Sequence, residues 1–171
     1  RVSSYPRSIE MATPVSHPFD FEPTFNRVAQ TNQWNSAIAC IASVVNKPID
    51  EVRLVAAKQS KRPANGRWSV VQKQIPELLD YYDWWAASRY RKANALADLP
   101  DLALILLSKK PDHFALFHRQ KFEDGKLPVC YLINPALGIP VDQQYLLDVE
   151  SILPCKHLSI YLMSEYMKDF W

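Results

Sequence analysis

Apolar positions recur at helical spacing in the first half of the chain and in short runs in the second. Ile38, Ile41, Ala42 and Val45 share one face of a helix predicted over residues 36–46, closed by Asn46-Lys47-Pro48. Asn35 or Ser36 would serve as its N-cap. Asp50 is expected to cap a second helix that turns Val52, Val55 and Ala56 inward. Residues 58–67, with Pro63 and Gly66, read as a polar loop. A third helix is expected over 69–82, with Val70, Val71, Ile75, Leu78 and Leu79 as its apolar face and Pro76 starting a turn or kinking it. Beyond that the period shortens. Residues 84–90, 102–107, 113–118, 127–133 and 158–162 read as strands, Asp124-Gly125 as a hairpin turn, and 143–153 as a short helix. Helices first and a mostly antiparallel sheet second is an α+β pattern.

The first 27 residues carry Pro6, Pro14, Pro18 and Pro23 among Ser, Thr and aromatics, and predict an extended arm packed through Phe19, Phe21 and Phe25. Residues 28–171 read as one compact domain. A net charge of +2 is too small to imply nucleic acid as a partner, and Arg89-Tyr90-Arg91-Lys92 reads as a solvated surface. No apolar run reaches the roughly 18 residues that span a bilayer. Cys40, Cys130 and Cys155 form no CxxC pair and sit in apolar surroundings, so neither a metal site nor an organic cofactor is expected. A chain beginning at Arg1 reads as an excised domain or a processed fragment.

Three segments carry candidate chemistry. Gln30 precedes Ser36 by six positions, and Ser36 opens an apolar helix. A helix N-terminus favours negative charge, so a nucleophile there gains, and backbone N–H groups with the Gln30 amide could receive an oxyanion. His113 opens the strand His113-Phe114-Ala115-Leu116 after a Lys-Pro-Asp turn, where a general base could reach that helix end. Asn134, before Pro135, closes the next strand and could fix the His113 tautomer. Each residue has a plainer reading: Ser36 as an N-cap, His113 as a strand-end histidine, Asn134 as a turn residue. His118 lies an odd number of positions from His113 and should face the other way. His157, before the last strand, reads as surface. Cys40 is one helical turn deeper than Ser36.

In that register the chain resembles papain-fold cysteine peptidases, and among them the bacteriocin-processing family that trims double-glycine leaders. Gln30, Asn35, Ser36, Ala37 and Ala39 align with the family's Gln, Asp, Cys, Gly and Ala. His113-Phe114-Ala115-Leu116 aligns with its histidine strand, and Asn134-Pro135 with Gly138 aligns with its Asp-Pro and glycine. Leu99-Pro100 and the apolar run after it resemble the family's Leu-Pro and strand, so the resemblance spans about residues 28–163. Asn35, Ser36, Ala37 and Asn134 depart from the family, and Ser36 replaces its nucleophile.

The resemblance implies a papain-like α+β domain, with helices carrying the nucleophile position packed on a sheet carrying the histidine and asparagine. It implies a hydrolase for a peptide or amide bond, in a form inactivated by serine at position 36. Ser36, His113, Asn134 and Gln30 would be catalytic, and Trp34 and Asn35 would contact substrate. A glutamine deamidase or amidase-type bacterial toxin or effector would look the same, as would a degenerate domain that binds peptide cargo without cutting it. The implied partners are a peptide or protein substrate and a larger parent protein or transporter. The implied setting is a cytoplasmic or exported bacterial domain.

Overall fold

The computed structural model describes residues 21–140 and 142–167. Pro6, Pro14, Pro18 and Phe19 of the expected arm lie outside them. Helix α1 (Ser36–Val45) is buried from Ser36 to Val44, because its small and apolar side chains let it sit between the sheet and α2 (Ile49–Ser60). Asn46 ends α1 in the left-handed region, φ 57°, which asparagine tolerates better than most residues. Pro48, not Asp50, is the N-cap residue of α2; Asp50 lies in the first turn and pairs with Arg53. The helix runs to Ser60, further than its polar sequence suggested. Helix α3 (Ile75–Tyr81) is shorter than expected. Residues 69–71 belong to no helix; Val70 enters the core while Val71 is 40% exposed. A 3-10 turn (Gln72–Gln74) then leads into α3, where Pro76 occupies the first turn and forfeits no helical hydrogen bond.

Six strands form a small antiparallel sheet: β1 (Trp84–Ala86), β2 (Arg91–Ala93), β3 (Leu102–Ser108), β4 (His113–Gln120), β5 (Val129–Ile133) and β6 (Cys155–Leu162). The order is β1-β6-β3-β4-β5, and β2 also pairs with β6. A short helix α4 (Met163–Met167) follows β6. Alternate residues of β3 and β4 face two cores. Leu104, Phe114 and Leu116 meet α1 and α3 on one face, and Ala103, Ile105, Ala115 and Phe117 form a smaller cluster on the other.

Of the strand expected over 84–90 only Trp84–Ala86 forms: the chain leaves β6 after Ala87 bonds Ser159 and rejoins it beyond that span, at Arg91, as β2. The expected helix over 143–153 is absent except for a 3-10 turn (Glu150–Ile152). Tyr145 and Leu147 join one core and Leu146 the other, a period of two, and Leu146 bridges Leu132 on the edge of β5. Asp124-Gly125 turns, with Gly125 at φ 82°, inside a longer connection over residues 121–128. His157 is not on the surface. The strand β6 starts at Cys155, so His157 is mid-strand beside Ile105 and only 2% exposed.

The described part of the N-terminal segment packs on the body. Phe25 meets His118 edge-on, Phe21 meets Tyr131 and Tyr145, and the Gln120 side chain bonds the Glu22 and Thr24 backbone. No described helix is long and apolar enough to cross a membrane.

Candidate functional site

The site begins where β5 stops. The last pair of the β4–β5 ladder is Leu116 with Ile133. Two residues further, the same register would set Phe114 against Pro135, which has no N–H to give. The Pro135 carbonyl is taken by the Gln30 N–H at 2.8 Å. Arg27 holds the diverging loop, donating from Nε to the Asn134 carbonyl at 2.7 Å and from Nη2 to the Ala136 carbonyl at 2.8 Å. Burial lowers the Arg27 pKa from its usual value.

Helix α1 fills the place left on β4. Ser36 Oγ accepts the Phe114 N–H at 3.0 Å and donates to the Asp112 carbonyl at 3.2 Å, so it bonds the backbone on both sides of His113. One turn on, Cys40 Sγ lies 3.5 Å from the Phe114 carbonyl, fully buried, and burial pushes its thiol pKa far up. Ser36 itself is 1% exposed.

His113 Nε2 lies 3.2 Å from Asn134 Oδ1, which also accepts the Ala136 N–H at 3.0 Å. The second acceptor contact fixes the amide with its oxygen toward the ring, so His113 Nε2 is the protonated nitrogen and Nδ1 is left as the acceptor. His118 contributes nothing here. It bonds the Tyr131 hydroxyl at 3.0 Å, and burial lowers its pKa to about 4.

The turn before α1 is held from within. Asn35 Oδ1 accepts the Thr31 and Asn32 N–H groups, and Asn35 Nδ2 donates to Thr31 Oγ1 at 2.8 Å. Asn35 is thus buried inside the turn rather than on a cleft wall, and although it is the N-cap residue it makes no side-chain cap bond to α1. The first-turn N–H groups of α1 are therefore uncapped by Asn35, and the first turn itself contains no acidic residue. The Gln30 amide nitrogen donates to the Asn32 carbonyl at 3.0 Å, while Gln30 Oε1 is buried without a partner. In this arrangement the Gln30 amide N–H expected at an oxyanion is engaged with the Asn32 carbonyl. Trp34 is half-buried, its backbone N–H bonded to Asn32 Oδ1.

Two participants were not singled out from sequence. Arg27 lies at the end of a segment read as an arm, with no local signal for its role. Tyr90 sits in the basic run, yet burial and the Asp112 carboxylate push its phenol up to about 12, and its buried hydroxyl has no partner. Among the described residues no group of three or more His, Cys, Asp and Glu side chains could hold a metal. A cleft of about 490 Å³ lined by Phe25, Trp84, His118 and Lys121 lies at the other end of β4. No protein-family model, no curated protein and no solved structure matches the chain.

Proposed function

We propose that this chain carries a papain-like hydrolase site for a peptide or amide bond, with Ser36 where such a site holds cysteine. One observation carries the reading: Ser36 Oγ is bonded to the backbone either side of His113, and the His113 ring is bonded to Asn134. A nucleophile at position 36 would attack the carbonyl, His113 would move the proton through Nδ1, and Asn134 would hold the ring. The uncapped N–H groups of α1 would receive the oxyanion. A thiol gains far more than a hydroxyl from that environment, because its pKa is within reach of pH 7. The chain as it stands is then a weak or silent catalyst, and Ser36→Cys would arm it.

The test is alkylation of Ser36→Cys with iodoacetamide at about pH 6, well below the ordinary thiol pKa of about 8.5. Mass mapping separates position 36 from Cys40, Cys130 and Cys155. Fast labelling that His113→Ala abolishes is the expected result. Labelling as slow as an ordinary exposed thiol, or indifferent to His113, would sink the proposal.

A second reading is a non-catalytic domain that binds peptide cargo. It draws on the same hydroxyl, since Ser36 is buried and its donor and acceptor capacity both serve the backbone. Under this reading Ser36 is a strut, and Ser36→Cys would be unreactive.

A further inference from the structure

We infer that the cleft at the end of the sheet where β3 leaves and β6 enters binds an acidic stretch of the polypeptide whose amide the candidate site receives. This inference rests on the hydrolase-type reading. The cleft has a volume of about 380 Å³ and lies among Lys92, Leu106, Lys109, Pro154, Cys155 and Lys156.

Strand register places its charges. Lys92 of β2 is directly opposite Lys156 of β6, and Lys156 is directly opposite Leu106 of β3. Residues directly opposite share a face, and like charges so placed repel. No described carboxylate forms an ion pair with Lys92, Lys109 or Lys156. Lys109, in the turn that leads to His113, adds a third positive charge to the same cleft. A ligand bringing carboxylates would relieve the repulsion, and the apolar carbons of Leu106 and Pro154 would take its side-chain carbons.

The same register connects cleft and site. Leu106 is directly opposite Phe114, whose N–H Ser36 accepts. Lys92, Lys156, Leu106 and Phe114 thus form one row across four neighbouring strands. At about 4.8 Å per strand, Lys156 lies about 10 Å and Lys92 about 14 Å from the backbone that holds Ser36. An extended peptide rises about 3.3 Å per residue, so the acidic residues fall about three to four positions from the reacting amide. A nucleic acid fits less well, because none of the residues lining the cleft is aromatic and no base could stack there.

The experiment uses the full chain and a fluorescein-labelled peptide of alternating leucine and glutamate, followed by anisotropy. Binding should weaken about tenfold in the double variant K92Q/K156Q, as two exposed ion pairs would predict. It should be lost when glutamine replaces every glutamate of the peptide. Both lysines are exposed, so the double variant should melt no lower than the parent. In Ser36→Cys the peptide should slow alkylation at position 36. The inference is overturned if K92Q/K156Q binds as the parent does, or if the peptide leaves alkylation at position 36 unchanged. It is also overturned if a single-stranded oligonucleotide binds as tightly with the same lysine dependence. The hydrolase-type reading fails separately, if labelling of Ser36→Cys without peptide ignores His113.

Discussion

Replacing Ser36 by alanine removes one oxygen and strands two backbone groups. The Phe114 N–H loses its 3.0 Å acceptor, and the Asp112 carbonyl loses a 3.2 Å donor. Water cannot easily substitute, because position 36 is 1% exposed and the residues of α1 around it are buried. A stranded buried donor costs about 1–3 kcal/mol, and a carbonyl with a second lone pair costs less. Ser36→Ala should therefore lose about 2–3 kcal/mol. In a chain of this size each kcal/mol moves Tm by about 2–4 °C, so the melting point should fall by about 4–12 °C. Urea unfolding followed by tryptophan fluorescence would show a lower midpoint with an unchanged slope, the mark of altered stability rather than altered compactness. Ser36→Cys keeps a weaker donor and acceptor and should lose roughly half as much. If Ser36→Ala stayed within about 0.5 kcal/mol of the parent, the hydroxyl would not be holding β4 against α1, and the geometry of the site would need another cause.

Burial lowers His118 from 6.5 to about 4. As pH falls below 6.5, the unfolded chain takes up a proton that the folded chain refuses, so stability drops until about pH 4 and then levels off. After allowance for partial solvent contact this is worth about 1–2 kcal/mol. His157 is lowered by burial in the same direction, so His118→Gln should flatten the pH dependence of the urea midpoint without abolishing it; an unchanged profile would refute the burial argument. Asn134→Ala removes the acceptor shared by His113 Nε2 and the Ala136 N–H and should cost about 1–2 kcal/mol. On the Ser36→Cys background it should also slow alkylation about tenfold, with Asn134→Asp restoring the rate, whereas a purely structural asparagine would leave the rate alone. Gly66→Ala would place a Cβ 2.7 Å from Trp68 Cδ1, and that indole is pinned by Nε1 donating to the Pro63 carbonyl at 2.7 Å. About 1–3 kcal/mol should be lost, and an unmoved urea midpoint would show that the indole is free to shift.

The sequence makes legible what is signalled locally. The start of α1 at Ser36, the strands β3 and β4, and the nearness of His113 to Asn134 followed from spacing and from adjacent antiparallel strands. The stretch around Tyr145 fits helix and strand alike, since a short apolar run matches both periods, and what decides it is the edge of β5, outside the stretch itself. His157 is buried because β6 begins before the apolar run at Leu158: the preceding Cys155-Lys156 continues its alternation. At the site, residue types were readable but the use of each polar atom was not. Nothing in the order Gln30 to Asn35 says that the Gln30 amide nitrogen spends itself on Asn32, or that Asn35 bonds backward rather than into α1. Those choices are made by which backbone groups burial leaves without partners, and that is a property of the folded chain.

The candidate site lies where backbone groups lose their sheet partners. A sheet strand normally offers its outer groups to a neighbour, and β4 offers Phe114. Proline at 135 can give no ladder hydrogen bond, so the ladder fails one step beyond the Leu116–Ile133 pair and the chain turns away under the Arg27 clamp. The vacated edge is then met by the end of a helix, the one element whose first N–H groups also need partners. Ser36 satisfies β4, Gln30 satisfies Pro135, and Asn134, the last residue before the break, is left with its side chain on His113. A strand end, a helix start and a histidine are thereby brought together by a single missing N–H. Unsatisfied backbone groups converge there whatever residue stands at 36, so a change at 36 alone alters the chemistry of the place while the place itself persists.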